Sequence, residues 1–350
     1  MYCLGKKVVM HLFGKSHGTF VGCILEGIPA GIAVSEEIVQ RDMDLRKPKD
    51  RIGTPRKESD HVNIASGVIN GVTDGSPITI MIRNNNTDGS KYLEFEKRPR
   101  PGHADFPALN KFKTFDIRGG GQFSGRMTAP IVAAGSIAKQ YLDTRNIRIA
   151  GFTRSIGSIC DTDDRNIDDA FGSRRYDTRA CTDEIDRKMK QTILDVSAEG
   201  DSIGGVVECI SLGMSPGFGG IWFEALDSEI ARAVFSIPGV KGVEFGKGFD
   251  ITGMKGSQSN DAYIVDDGVK TRTNNMGGIL GGMSDGMPMV FRTAFKPTPS
   301  IAKTQDTVNL ETGKNDTISI RGRHDPCIVP RAVSVVEAMT ALVIADQMRR

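Results

Sequence analysis

The sequence predicts an α+β fold in a single body spanning residues 1–350. Short runs with the polar–apolar alternation of half-buried strands recur along the chain, and amphipathic helical stripes lie between them. No regular βαβ beat joins the two, and neither the GxGxxG nor the GxxxxGK[ST] phosphate-binding signature of doubly wound sheets is present.

The β-rich runs are residues 8–13, 78–82, 206–210, 289–292 and 317–320. Thr128 is expected to cap a helix whose second residue is Pro130, with Ile131, Val132, Ala134 and Ile137 leading to Leu142. From Asp183 to Ala198 the positions Ile185, Met189, Ile193 and Val196 form one stripe, and Gly200 offers the C-terminal cap. Asp227 starts a shorter helix through Ile230, Ala233 and Val234, stopped at Pro238-Gly239. The last helix begins near Pro330 and carries Val333, Val336, Met339 and Val343 on its inner face.

Composition narrows the function. With 45 basic against 43 acidic residues the net charge is only +2, and there are five Tyr and one Trp, so neither a phosphate-tracking stripe nor a base-stacking platform is expected. The positive charge is local: Arg46, Lys47, Lys49, Arg51, Arg56 and Lys57 stand close together against Asp50 alone, which suits a small polyanion or simply a solvated loop. Six Cys lack metal or redox spacing and read as reduced thiols. No signal-peptide h-region and no apolar run of membrane length is found, so a cytoplasmic protein without nucleic-acid or membrane partners is expected.

Six loops concentrate chemistry. Gly14-Lys15-Ser16-His17-Gly18 follows the first strand, and Arg98-Pro99-Arg100-Pro101-Gly102-His103 holds a second imidazole in a Pro/Gly turn. A lone loop histidine is ordinarily surface decoration, but imidazole is also the natural proton carrier near neutral pH. Arg118-Gly119-Gly120-Gly121-Gln122-Phe123-Ser124-Gly125-Arg126 runs into a helix start and can cradle an anion or merely turn the chain. The glycine pairs of residues 274–286, then Lys296-Pro297-Thr298-Pro299-Ser300 and Gly322-Arg323-His324-Asp325-Pro326-Cys327, complete the set. Cys327 reads as a packed small residue and His324 as a structural hydrogen bonder. Together these loops describe a polyanion site with acid–base capacity.

The motifs GKSHG, RPRPGHAD, RGGGQFSGR, EGDSIGG, SIPGVKGVEFGKGF, NNMGGILGGMSDG, KPTPSI and GRHDPC follow one another in the order found in chorismate synthases. The chain resembles that family from Val8 to its last helix, as a divergent, monofunctional bacterial-type member. The resemblance implies a β-α-β sandwich with central helices between antiparallel sheets, a homotetramer, and reduced FMN (FMNH2) as cofactor. It implies a lyase of the shikimate pathway that eliminates phosphate from 5-enolpyruvylshikimate 3-phosphate to give chorismate. By position, His17 is the acid for the leaving phosphate, His103 serves the flavin, and Asp346 works with it on the C6 proton, while Ser16 and Ser124 orient these groups. Arg46, Arg51, Arg100, Arg126 and Arg331 are the implied substrate clamp. Gln122, Phe123, Ser124, Pro238, Gly239, Gly281, Lys296, Pro297, Thr298, Pro299, Ser300 and Arg323 are the implied flavin contacts. No metal is expected. An external flavin reductant is expected rather than an NADPH-dependent activity of the chain's own, since no long insertion supplies one. Lys15 stands where the family usually has Glu, and Gln122, Phe123, Gly125 and Met127 replace Arg, Ser, Ala and Glu. These exchanges leave open the alternative of a flavin- or phosphate-binding homologue without catalysis.

Overall fold

The computed structural model describes residues 2–49, 52–54, 59–85, 90–320 and 324–350. Arg51 and Arg323, two of the expected ligand contacts, lie outside the described residues. Two five-stranded antiparallel sheets enclose helices. The first comprises β1 (Cys3–Leu4), β2 (Val9–Gly14), β3 (Phe20–Glu26), β4 (Val62–Ser66) and β5 (Ile78–Arg83), in the order β1-β2-β3-β5-β4. The second comprises β6 (Arg148–Ile156), β7 (Ile159–Cys160), β8 (Gly205–Leu212), β9 (Val240–Phe245) and β10 (Met289–Phe295), in the order β9-β10-β8-β6-β7.

Between the sheets lie α1 (Glu36–Arg46), α2 (Thr128–Asp143), α3 (Leu226–Phe235) and α4 (Val329–Arg349). Helix α2 packs on β3 and β5, α4 packs on β6 and β8, and α2 and α4 pack on each other. This is the β-α-β sandwich that the resemblance implied. A helix apolar on most of its circumference has to be buried, and α4 is buried almost without interruption from Val329 to Gln347. The two central helices touch at Gly135, where a Cβ would sit 2.3 Å from that of Ala338. Only a residue without a side chain lets the backbones approach so closely. A single apolar cluster, with Ile80, Ile137, Phe291 and Ile344 among its members, runs from one sheet to the other.

Four expected strands coincide with β2, β5, β8 and β10, and the expected strand at residues 317–320 lies earlier, at Lys314–Ile318, paired with Gln305–Asn309. The sequence reading missed β1, β3, β4, β6, β7 and β9, and it missed helix α1, whose N-cap Ser35 accepts from the Ile38 amide. The expected start of α2 moves as well. Thr128 is the first residue inside the helix, and Ser124 caps a preceding 3-10 turn, Gly125–Met127, by accepting from the Arg126 amide. The helix over Asp183–Ala198 stands as expected, capped by Thr182.

Candidate active site

A cavity of about 660 Å³ opens where the C-terminus of α1, the glycine-rich turn before α2, the loops 92–104, 235–241 and 295–300, and the start of α4 converge. Its size sits in the upper half of the ~300–1,000 Å³ range usual for ligand pockets.

The glycine turn separates the two imidazoles. Gly119, Gly120 and Gly121 have φ values of 60°, 79° and 54°, a left-handed run open only to glycine. A Cβ on Gly119 would fall 2.1 Å from His17 Cε1 and 2.7 Å from Ser16 Oγ, and one on Gly120 would fall 3.6 Å from His103 Nε2. His17 and buried Ser16 thus pack on one face of the turn and His103 on the next. Tyr92 meets the His17 ring edge-on at 5.5 Å and itself lines the cavity.

His103 is oriented from behind. Its Nδ1 lies 2.7 Å from Oδ1 of fully buried Asp105, which leaves Nε2 toward the turn. Arg100 grips the same carboxylate through Nε at 2.7 Å and Nη2 at 2.8 Å. Burial opposes ionisation of Asp105, but the hydrogen bonds from Arg100 and His103 prevail and hold it well below the usual carboxylate range. Arg100, expected to clamp substrate, is therefore already committed to Asp105, and it also stacks 4.3 Å over the Phe95 ring.

The other arginines form a cluster. Arg46 donates to Thr128 Oγ1 (3.0 Å), Asp60 Oδ2 (2.9 Å) and the Gly125 carbonyl (3.2 Å). Arg126 donates to Asn84 Oδ1 (2.8 Å), to the Arg83 carbonyl (3.2 Å) and to Asp60 Oδ1. Arg331 donates to the Arg46 carbonyl (3.0 Å) and to Asp325. Burial first, and then the neighbouring charges of Arg331 and Arg126, push Arg46 down to about 9. Burial is the larger cause, and the crowding of three guanidinium groups adds to it. Asp60 is held low by Arg46 and Arg126 against the opposing effect of burial. Among the described residues, seven cationic side chains line the cavity (Arg46, Lys47, Arg100, Arg126, Lys241, Lys296, Arg331) against two carboxylates, Asp60 and Asp325.

The lining also has an apolar part: Phe235, Ile237, Pro238, Gly239, Val240, Phe295, Ile328 and Val335. Beside it stand Lys296, Pro297, Thr298, Pro299 and Ser300. Burial and the nearby Lys241 charge lower the Lys296 ammonium, which donates to the Gly102 carbonyl at 3.0 Å. Among the described residues no carboxylate comes within ion-pair reach of Lys296 or Lys241. Gln122, Phe123 and Ser124 complete the lining, with Gln122 accepting from the Tyr2 hydroxyl and Phe123 packed 5.8 Å from Phe115.

Among the described residues, four expected site residues are absent from the cavity lining: Ser16 and His17, which pack against Gly119, and Asp346 and Gly281, which lie elsewhere. Asp346 Oδ1 accepts from the backbone amides of Lys6 (2.8 Å), Lys7 and Val8 (2.8 Å), and Oδ2 pairs with Arg350. It fastens the N-terminal turn to α4 and does not line the cavity. Gly281 turns the hairpin between Ile279–Leu280 and Met283–Ser284, also outside the lining. Cys327 is buried, which pushes its thiol up to about 12, as suits a packed residue. His324 does line the cavity, kept toward its neutral form by burial and by Arg100. Sequence reasoning missed Asp60, Tyr92, Asp105 and Asp325 as parts of the site. Asp105 and Asp325 were legible, each lying one or two residues from a histidine already singled out.

Comparison with known proteins agrees with this geometry. A family model described as chorismate synthase matches residues 8–349. A chorismate synthase of Dehalococcoides mccartyi is 47% identical over 346 residues, covering 98% of this chain and 95% of the relative. Those of Korarchaeum cryptofilum and Thermococcus kodakarensis are 46% and 44% identical, each covering 99% of this chain and 97% of the relative. A crystal structure of chorismate synthase superposes with a TM-score of 0.78 at 31% identity, covering 98% of this chain and 92% of that one. With full-length matches in sequence and in fold, the chain belongs to the chorismate synthase family.

Proposed function

We propose that the cavity performs the 1,4-trans elimination of phosphate from 5-enolpyruvylshikimate 3-phosphate, with reduced FMN as cofactor. Family membership makes the chain an enzyme of chorismate formation. The observation that carries the substrate reading is the cation excess at the Arg46–Arg126–Arg331 cluster, because this substrate brings one phosphate and two carboxylates. The residues present also suit a flavin. The apolar residues around Pro238 and Ile328 suit a flat ring, and Lys296 with Lys241 offers a phosphate site that no carboxylate among the described residues fills.

When bound, reduced FMN supplies the electron-rich partner that lets the weakly acidic C6 proton leave without net redox change. His17, packed against Gly119, gives a proton to the departing phosphate, and the guanidinium groups that line the cavity stabilise its growing charge. His103, held through Nδ1 by Asp105, is the acid–base group on the other side of the glycine turn. Ser16 and Ser124 flank the two imidazoles and orient them. Asp325, which lines the cavity, is a better placed carboxylate for the C6 proton than Asp346, which does not. Assembly as a homotetramer fits the large side chains left exposed, among them Trp222, Phe223, Phe249 and Val265. We assign flavin reduction to an external donor rather than to NADPH bound by this chain.

The test is anaerobic phosphate release and chorismate formation from 5-enolpyruvylshikimate 3-phosphate, with and without reduced FMN. Both products only with reduced flavin support the reading. Flavin binding without phosphate release refutes it.

A further inference from the structure

Asn84 follows directly on β5 and is buried outside the cavity lining, yet its side chain is fully engaged. Oδ1 accepts from Arg126 Nε at 2.8 Å, while Nδ2 donates to the carbonyls of Lys15 at 3.1 Å and Gly18 at 2.8 Å. The partners fix the orientation of the amide: a guanidinium can only donate and a carbonyl can only accept, so no flipped Asn satisfies all three. The segment thus held, residues 15–18, carries Ser16 and His17. The guanidinium held on the other side reaches Asp60 and, through it, Arg46.

Two further ties of this loop are weaker. The Ser16 amide reaches the Gly121 carbonyl only at 3.4 Å, and the Lys15–Asp116 ion pair at 2.8 Å is half exposed on its lysine side. Asn84 is a buried tether, and it makes one rigid unit of two parts of the site that come from distant parts of the sequence. We propose that Asn84 is a positioning residue that couples the His17 loop to the arginine cluster, so that the imidazole and the bound anion are held in register. The inference rests on the reading of His17 as the acid at the leaving phosphate.

Asn84→Asp is the informative variant. It is isosteric and keeps the acceptor for Arg126, but it loses both donors and sets a carboxylate oxygen against two carbonyls. We expect kcat to fall by about 10- to 100-fold, the scale of a misplacement of about an ångström, with KM moving far less because Arg126 keeps its partner. In a His17→Ala background the same change has no further effect, because residues that act as a unit are not additive. A milder variant, Asn84→Ser, shows the same non-additivity if Asn84→Asp fails to fold. Wild-type kcat in a folded Asn84 variant, or an equal loss with and without His17, overturns the inference while leaving the reading of His17 intact. Wild-type kcat in His17→Ala overturns that reading and this inference with it.

Discussion

Replacing Gly119 by Ala loads two costs onto one atom. The left-handed backbone at φ 60° costs an alanine about 1 kcal/mol. The new methyl would stand 2.1 Å from His17 Cε1 and 2.2 Å from Nδ1, where carbon contacts settle at about 3.5 Å, so the imidazole has to retreat by roughly 1.4 Å. Misplacement on that scale costs about 100-fold in rate, or about 2.7 kcal/mol of transition-state stabilisation. The assay is anaerobic chorismate formation at saturating substrate and reduced FMN, with thermal unfolding in parallel. Gly125→Ala is the internal control, since a Cβ there meets nothing within 4 Å and the residue is not among the left-handed glycines. Equal kcat in the two variants would show that the turn does not set the position of His17.

Asp105→Asn breaks a fully buried pair with Arg100 and releases His103, so denaturant unfolding should register a loss of about 3–5 kcal/mol, together with a fall in kcat that Asp105→Glu only partly restores. Lys15→Glu opposes Asp116, now 2.8 Å from the Lys15 ammonium; kcat drops about 10-fold and recovers when Asp116→Lys is added. Lys296→Gln weakens FMN by about 10-fold in fluorescence titration but leaves riboflavin unchanged, since only the phosphate needs the ammonium. Glu337 sets an acid limit. Burial opposes its ionisation, but Lys139, Arg174 and Arg179 hold it down to about 2, below the unfolded value of about 4.3. Its stabilisation is therefore complete above about pH 4.3 and lost as pH falls toward 2; Glu337→Gln flattens that part of the acid-unfolding curve and costs about 3–5 kcal/mol at neutral pH.

Legibility followed the range of the forces involved. Strands β2 and β5 and the helix over Asp183–Ala198 declare themselves through local periodicity and caps, and the paired motifs around His17, His103 and the glycine turn declare themselves through backbone punctuation. Strand β3, with Val21, Gly22, Cys23 and Leu25 buried and Ile24 half-buried, shows no polar–apolar alternation and so escaped the pattern. Arg100 looked like a free anion clamp because a list of residues shows charge but not partners, and its partner Asp105 became visible only once the turn was folded. Asp346 was placed at the site by analogy of position, whereas three backbone amides from residues 6–8 occupy it in space. Asp60 and Asn84 carry no local signal, since what they hold is separated from them by tens of residues.

The glycine turn also says where this site is free to drift. What it presents between the imidazoles is bare main chain, so its geometry belongs to three φ angles and not to any side-chain chemistry. Exchanges at its shoulders, such as Gln122 hydrogen-bonded to Tyr2 and Phe123 settled against Phe115, alter the rim without moving the spacing of the two proton carriers. A lineage can therefore retune how its pocket grips ligands while the distance across the reaction centre stays fixed.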